Sequence, residues 1–214
     1  MEALLFDLDG TLIDSMPLHH EAWRAWFHAQ GLPFDEDGFF AATAGRTNAE
    51  ILADLFPGRD EAERWRLAED KEARYRELAA TRLQLIAGAL PLLQQARRQG
   101  LKLAICTASP PGNIEVAFKR FGFSELVDTV TSPADGLRGK PHPDIFLEAA
   151  RRLGAEPTQC LVFEDAPLGI EAARRAGMRA YALTTSLPAG AFEPYPNLIG
   201  VAPDLGRFDL STFS

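Results

Sequence analysis

Short apolar runs alternate along most of the chain with longer stretches in which apolar residues recur at helical spacing. Runs of this length are typical of buried strands, and their alternation with helices predicts βαβ units and a parallel sheet. The predicted strands are Ala3–Phe6, Leu103–Cys106, Leu126–Thr131, Leu161–Phe163 and Ala180–Leu183, and the predicted helices lie near 88–99, 111–121, 143–153 and 168–176.

One interval lacks this alternation. Between residues 15 and 82 we find no convincing strand, and a first helical stretch stops at Gly31. Further along, a Thr-x-x-Glu sequence has the spacing of a capping box, and a highly charged stretch carries opposite charges four residues apart, which supports an exposed helix. The features are a helix over Met16–Gln30, a capping box of Thr47 and Glu50 that opens a helix to Phe56, and the pairs Asp70/Arg74 and Glu72/Arg76 within 59–82.

These patterns define the domain organisation. We predict an α/β protein with a Rossmann-like parallel-sheet core domain formed by residues 1–14 and 83–214. A helical domain of about four helices, residues 15–82, is inserted after the first strand. The segment after Ser186 is rich in Pro and Gly and yields no prediction.

Composition limits the classes of function. The chain of 214 residues is 46% hydrophobic and 24% charged, as expected of a globular protein with a real core. Its formal net charge of −8 argues against nucleic acid or an anionic membrane as a partner, because both need clustered Lys and Arg. A small anionic substrate fits this charge if a metal ion and one or two lysines reverse the field locally.

Cysteine usage and the first residues indicate a cytoplasmic protein. Cys106 and Cys160 each lie in an apolar run, which predicts two buried, reduced thiols, and they lack the spacing of metal ligands. The sequence MEALLFDLDG reaches acidic residues too early for a signal peptide or a membrane span. We therefore expect a cytoplasmic location.

Polar side chains follow four of the predicted strands. Ligands of an open parallel sheet bind beyond the carboxyl ends of its strands, so these residues are expected to meet at one edge. They are Asp7, Asp9, Gly10, Thr11 and Asp14 after the first strand, Thr107, Ala108 and Ser109 after the second, Lys140 in a loop after the third, and Glu164 and Asp165 after the fourth. This convergence is the strongest functional signal in the sequence.

The residues at this edge suit phosphoryl transfer. Crowded carboxylates repel one another unless a cation lies between them, and hard oxygen ligands favour Mg²⁺. A carboxylate can attack phosphorus and carry an aspartyl-phosphate, and a second one two residues along can reach the leaving-group oxygen if the chain turns at Gly10. A lysine and a hydroxyl would hold the phosphoryl oxygens as charge develops.

Each feature also has a structural explanation when it is taken alone. An isolated Asp-x-Asp can be a solvated turn, Thr107 and Ser109 can cap a helix, and Lys140 can be a solvated surface lysine. Glu164–Asp165 can be the acidic start of a helix. Together these explanations require four unrelated coincidences at one sheet edge, so we favour a functional site.

Four segments resemble the motifs of haloacid-dehalogenase-superfamily phosphatases. FDLDGTLIDS is similar to their first motif, CTAS to the second, GKPHPDIF to the third and FEDAPLGIEAARRAGM to the fourth. All four occur in order, and the resemblance spans nearly the whole chain. The helical insert resembles the cap of the subfamily that contains β-phosphoglucomutase and small sugar-phosphate phosphatases.

The resemblance implies roles for the motif residues. Asp7 would be the nucleophile and a magnesium ligand. Asp9 would be general acid and then general base, and would bind magnesium through its backbone carbonyl. Thr107 and Lys140 would grip the phosphoryl group.

The fourth motif and the cap type carry further implications. Asp165 would bind the metal, with Glu164 bound directly or through water. The cofactor would be Mg²⁺, the substrate a small phosphorylated metabolite, and the default oligomeric state a monomer. Around the motifs, we assign substrate binding to Gly10, Thr11, Ala108 and Ser109.

In such enzymes the cap closes over the active site and excludes water, so it is expected to set specificity. The candidate cap residues for substrate binding are His19, Gly45, Arg46, Asn48 and Lys71. Alternatively, His19 or His20 packs against Trp23, and Lys71 and Arg46 are exposed surface charges. Three aromatic residues are interpreted as cap core rather than a binding face: Trp23, Trp26 and Phe27.

Two departures favour a phosphatase over a mutase. β-Phosphoglucomutase caps carry Ser-Arg in the loop after the glycine, where this chain has Thr47-Asn48, although Arg46 lies two residues before Asn48. Those mutases also tend to place Lys after the second motif, where this chain has Pro110. We expect a phosphatase, with a β-phosphoglucomutase-type mutase as the alternative. Asp9 argues against a dehalogenase, and the complete set of motif residues argues against an inactive binding module on the same fold.

Overall fold

In a computed structural model the chain forms two compact units, and the structure describes residues 1–43 and 47–213, with the backbone alone at Ala41 and Phe213. The core unit comprises Met1–Asp14 and Gln84–Ser214, and the helical unit comprises Ser15–Leu83. Two candidate substrate-binding residues, Gly45 and Arg46, lie outside the described residues.

Strands and helices alternate through the core unit, as the apolar pattern predicts. The strands are β1 (Ala3–Phe6), β2 (Ile13–Asp14), β3 (Gln84–Leu85), β4 (Lys102–Cys106), β5 (Thr129–Thr131), β6 (Cys160–Glu164), β7 (Arg179–Leu183) and β8 (Leu198–Ala202). The helices are α1 (Met16–Ala29), α2 (Glu36–Thr43), α3 (Asn48–Leu55), α4 (Glu61–Arg82), α5 (Ala89–Arg98), α6 (Pro111–Phe121), α7 (Asp144–Leu153) and α8 (Pro167–Arg175). Among the described residues, no helix has the length and apolar character needed to cross a membrane.

The core unit contains a six-stranded parallel sheet with β1 near its centre. The strand order is β5-β4-β1-β6-β7-β8, and Leu5 of β1 lies opposite Ala104 of β4 and Val162 of β6. Because these strands are parallel, their carboxyl ends meet at one edge of the sheet. β4 and β5 lie on one side of β1 and β6 to β8 on the other, and ligands of such sheets bind where the strand order reverses in this way. β2 and β3 form a separate antiparallel pair.

Both faces of the sheet are covered, because successive strand residues point to opposite faces. On one face, Leu5 belongs to a buried cluster that includes Phe146 of α7 and Ile170 of α8. On the other face, Phe6 stacks on Phe163, with ring centroids 4.7 Å apart. Every residue of β1 is therefore buried, which explains why a continuous apolar run encodes this strand.

The helical unit has a separate aromatic core. Trp23, Trp26 and Phe27 of α1 are buried together with Ile51 and Leu52 of α3. Large aromatic side chains contribute most of the apolar area that such a small unit can bury. The interpretation of the three aromatic residues as core is confirmed.

The predicted capping box at the start of α3 is also confirmed. The Thr47 hydroxyl accepts the Glu50 N–H at 3.3 Å, and the Glu50 carboxylate accepts the Thr47 N–H at 2.7 Å. These bonds satisfy two backbone donors that a helix start leaves unpaired. The described parts of the insert, residues 15–43 and 47–82, contain no strand.

Several strands differ from the prediction. β2 and β3 have two residues each, too short for a periodic signal, and β8 is a half-buried strand in the Pro- and Gly-rich segment. The first half of the predicted strand Leu126–Thr131 is wrong, because the N–H groups of Leu126 and Val127 both donate to the Phe123 carbonyl in a turn. The strand itself begins at Thr129.

One of the two charge pairs predicted on α4 is wrong. The pair four residues apart at 70 and 74 forms at 3.4 Å, but Arg76 pairs with Glu69 rather than with Glu72. Glu72 is 6% exposed and Lys71 is 2% exposed, and the two form an ion pair at 2.9 Å. The alternative that Lys71 is an exposed surface charge is therefore also wrong.

Both cysteines are buried free thiols, as predicted. Burial raises the pKa of the Cys106 thiol to about 12 and that of Cys160 to about 11. Because the thiolate is the reactive form, neither cysteine is suited to nucleophilic chemistry.

The start of α5 depends on a glycine. Gly88 has a φ of +83°, and an added Cβ would lie 2.1 Å from the backbone nitrogen of Gly206. Gly100 has a φ of +77°, but an added Cβ there meets nothing within 4 Å. The two glycines share a backbone conformation and differ in their surroundings.

We predict that Gly88→Ala lowers the free energy of unfolding more than Gly100→Ala does. The left-handed conformation alone costs a residue with a Cβ about 1–2 kcal/mol, and the clash with the Gly206 backbone adds about 1–3 kcal/mol. Urea unfolding followed by circular dichroism measures both losses. Equal losses would contradict the close approach of the 205–207 segment to Gly88.

Candidate active site

Three acids from neighbouring strand ends form a buried cluster. Asp7 directly follows β1, and its N–H donates to the carbonyl of Phe163 in β6 at 2.9 Å. Glu164 ends β6, and Asp165 follows it. One carboxylate oxygen from each of Asp7, Glu164 and Asp165 lies within 4.8 Å of the other two, and all three residues are buried. The parallel pairing of β1 and β6 therefore brings these acids together.

Lys140 joins this cluster from the loop that precedes α7. Its Nζ contacts Oδ1 of Asp7 and donates to Oε1 of Glu164 at 2.5 Å and to the carbonyl of Cys106 at 3.1 Å. Burial lowers the pKa of this ammonium, but the negative charges of Asp7 and Glu164 raise it more, so the pKa lies above its ordinary value. The side chain is 11% exposed, which makes the alternative of a solvated surface lysine wrong.

The negative charge of the cluster exceeds what one lysine balances. Burial raises the pKa of the Asp7 carboxyl, Lys140 opposes this effect, and Glu164 and Asp165 raise the pKa further. Burial and the charge of Glu164 raise the pKa of Asp165 to about 7. A divalent cation would compensate these charges, and oxygen ligands from a few carboxylates suit a hard cation such as Mg²⁺. The donor set therefore fits a divalent metal ion.

The second sequence motif supplies a contact to Asp9. The Ser109 hydroxyl donates to Oδ2 of Asp9, which is half-buried, and the Ser109 N–H donates to the Thr107 hydroxyl at 3.0 Å. Ala108, between them, is exposed. Helix α6 follows with Pro110 as its N-cap residue and no side-chain cap. The alternative that Thr107 and Ser109 cap this helix is wrong.

Gly10 and Thr11 lie against the acidic cluster. Gly10 has a φ of +75°, and an added Cβ would lie 2.1 Å from Oδ2 of Asp165. The Thr11 hydroxyl is buried and contacts Oδ1 of Asp165 at 3.4 Å. The assignment of both residues to substrate binding stays a prediction.

Sequence reasoning missed the loop that follows β7. The Thr185 hydroxyl donates to the carbonyl of Gly10, and the Ser186 hydroxyl donates to Oδ2 of Asp165. A signal for this loop exists, because the hydroxyl residues 184–186 directly follow the predicted strand Ala180–Leu183. The rule that polar residues after parallel strands meet at one edge applies to them as it does to the four motifs.

The polar candidates of the helical unit form a cluster of their own. Nζ of Lys71 lies 2.7 Å from Nδ1 of His19 and 2.9 Å from Oε1 of Glu72. The Asn48 side-chain amide donates to the same Glu72 oxygen, and His19 stacks on Tyr75 with ring centroids 3.8 Å apart. The helical unit thus holds three of its candidate residues in one largely buried network.

Comparison with known proteins finds a matching family model and similar solved structures. A family model described as haloacid dehalogenase-like hydrolase matches residues 1–177. A solved HAD hydrolase of family IA, variant 3, from Entamoeba histolytica HM-1:IMSS superposes with a TM-score of 0.90 at 28% sequence identity, and the match covers 99% of this chain and 96% of that one.

Curated relatives match over most of their length. Validoxylamine A 7′-phosphate phosphatase of Streptomyces hygroscopicus subsp. limoneus is 37% identical, over 87% of this chain and 87% of its own. The fructose-1-phosphate phosphatase of Escherichia coli K12 is 34% identical, over 83% of this chain and 93% of its own. The β-phosphoglucomutase of Bacillus subtilis 168 is 31% identical, over 88% and 85% respectively.

We predict that the stabilisation of the protein by Mg²⁺ increases between about pH 6 and pH 8. The folded-state pKa of Asp165, about 7, lies above the ordinary value of 3.8, so the metal-free protein loses stability as the pH rises between these two values. Protons compete with the metal for the same carboxylate below about pH 7. The measurement is the difference between the Tm in Mg²⁺ and the Tm in EDTA at three pH values.

Asp165→Asn is the matched control, because it keeps the shape of the side chain and removes the titrating group. Its Mg²⁺-dependent shift in Tm should be smaller and should depend less on pH. A wild-type shift of the same size at all three pH values would refute the prediction.

Proposed function

Because the chain belongs to the haloacid dehalogenase-like hydrolase family, we propose that it is a Mg²⁺-dependent phosphatase acting on a small sugar or polyol phosphate through an aspartyl-phosphate on Asp7. The observation that carries this proposal is the buried cluster of Asp7, Glu164 and Asp165 with Lys140 against it. The relatives that are phosphatases of validoxylamine A 7′-phosphate and fructose 1-phosphate support a phosphorylated carbohydrate as the substrate class.

In the first half-reaction the Asp7 carboxylate attacks phosphorus, and the alcohol oxygen of the substrate leaves. Lys140 orients the attacking carboxylate through its contact with Oδ1, and it can donate to a phosphoryl oxygen as negative charge develops there, as can the Thr107 hydroxyl. The carboxylates of Asp7, Glu164 and Asp165 would hold the magnesium ion, together with the backbone carbonyl of Asp9. When bound, the ion supplies positive charge that offsets the phosphoryl oxygens and the acids around them.

Asp9 carries the proton in both half-reactions. It gives a proton to the leaving alcohol, and it then takes one from the water that attacks the aspartyl-phosphate. The Ser109 hydroxyl holds Oδ2 of Asp9, which restricts the orientation of this carboxyl group. One side chain can therefore serve as acid and then as base without a second proton carrier.

Charge compensation in the helical unit favours the phosphatase over the mutase. Asn48 stands where the resembling mutase caps have arginine, and its amide donates to Glu72. The charges of buried Lys71 and Glu72 compensate each other at 2.9 Å, and Pro110 stands where those mutases tend to have lysine. A mutase has to hold the second phosphate of a sugar bisphosphate, which needs uncompensated positive charge. Among the described residues of the helical unit, this set suits a neutral sugar or polyol moiety better, while Arg46 lies outside the described residues.

We predict that Asp7→Asn abolishes turnover, because it removes the nucleophile and keeps the shape of the side chain. Asp9→Ala should lower kcat by about 10²–10⁴-fold, the usual contribution of a general acid–base group. Both are measured as Mg²⁺-dependent phosphate release, with circular dichroism to establish folding. Asp37→Asn, which alters an exposed aspartate of α2, is the control and should leave the rate unchanged. Wild-type turnover by Asp7→Asn would falsify the assigned nucleophile.

We also predict that phosphate is released from one ester in a panel of sugar and polyol phosphates. The parallel assay follows conversion of β-glucose 1-phosphate to glucose 6-phosphate with a catalytic amount of the 1,6-bisphosphate. Isomerisation without phosphate release would support the mutase alternative instead. Absence of both activities, with and without Mg²⁺, would support an inactive binding module.

A further inference from the structure

The loop after β7, which lies outside the four sequence motifs, reaches the acidic cluster of the core unit. The Thr184 N–H donates to a β8 carbonyl at 2.9 Å, so the loop leaves the sheet from a fixed point. Beyond it, the Thr185 hydroxyl donates to the Gly10 carbonyl and the Ser186 hydroxyl to Oδ2 of Asp165. Two adjacent hydroxyls therefore contact the segments that follow β1 and β6.

Asp165 needs such a contact because of its neighbours. It is 6% exposed, and the like charges of Asp7 and Glu164 act to turn its carboxylate away from the shared centre of the cluster. The Thr11 hydroxyl contacts Oδ1 at 3.4 Å, which is longer than an effective O–H···O hydrogen bond. Ser186, on the other oxygen, is then the hydroxyl that restrains this side chain.

Ser186 is exposed, but the backbone of Gly10 closes one side of its contact with Asp165. A Cβ at Gly10 would lie 2.1 Å from Oδ2 of Asp165 and 3.0 Å from Oγ of Ser186. Both side-chain atoms therefore pack against the bare backbone of Gly10. The carboxylate is held by the Ser186 hydroxyl and is blocked by the Gly10 backbone from moving to that side.

On the basis of the magnesium ion in the proposed function, we propose that Ser186 is a positioning residue. Its hydroxyl orients the carboxylate of Asp165 toward that ion. Mg²⁺ demands near-octahedral geometry and takes few protein ligands, so the orientation of each carboxylate matters. Hydrogen-bond partners of metal ligands typically contribute about 10–100-fold in metal affinity. A carboxylate oxygen that accepts one hydroxyl still has lone pairs for a cation.

The test is calorimetric titration of MgCl₂ into the metal-free protein. Ser186→Ala should raise the Kd for Mg²⁺ about 10-fold, the lower end of that range, because the Gly10 backbone still blocks one side of the Asp165 carboxylate. Ser186→Thr and Ser186→Val have nearly the same shape and differ in the hydroxyl, so only the threonine variant should keep the wild-type Kd. Thr185→Val, which removes the neighbouring hydroxyl on a backbone carbonyl, should change the Kd less than Ser186→Ala does. The Tm of each variant in EDTA establishes that it is folded.

The outcomes separate this inference from the proposed function. Weaker Mg²⁺ binding by the alanine and valine variants with rescue by threonine supports the role of Ser186. An unchanged Kd in Ser186→Ala overturns this role while leaving the magnesium site intact. Equal losses of Mg²⁺ affinity in Ser186→Ala and Thr185→Val also overturn it, because they would indicate that both hydroxyls only anchor the loop. Absence of Mg²⁺ binding by the wild-type protein overturns the metal of the proposed function and, with it, this inference.

Discussion

The carboxylates of Asp7, Glu164 and Asp165 lie closer together than like charges in a protein interior tolerate without compensation. Lys140 supplies one positive charge, held between Asp7 and Glu164. The remaining negative charge makes the site receptive to a cation and, through that cation, to an anionic substrate. In the proposed function, such a cation would allow a protein with a net charge of −8 to bind a phosphate ester.

The sheet provides the rigidity that this arrangement requires. β1 and β6 are paired along their length, and their apolar residues are buried on both faces. Burial of these strands offsets the free-energy cost of holding like charges at their ends, because the hydrophobic contribution of a core is large compared with any one polar site. Loops from elsewhere in the chain then complete the site, with Lys140 ahead of α7 and Ser186 after β7. Each contacts an acid that the central strands have already placed.

The helical unit handles charge differently. Lys71 and the Asn48 amide both contact the Glu72 carboxylate within that unit, so its buried lysine is compensated by a buried acid. Phosphatases and a mutase occur among the relatives of this chain, which illustrates that a shared fold supports different reactions.

The sequence by itself determined the parallel α/β core, the helical insert, the capping box at Thr47 and the polar residues that follow four of the five predicted strands. These follow from local signals, because hydrophobic periodicity reports burial and parallel strands send their carboxyl ends to one edge. Only the tertiary structure decided that Ser186 contacts Asp165, that Asn48 contacts Glu72, and that Arg76 pairs with Glu69 rather than with Glu72. A spacing of four residues makes an ion pair possible on a helix, but burial of one partner against another element decides whether it forms. The sequence alone leaves many partners possible for a polar side chain in a loop, and the packing of the fold selects one of them.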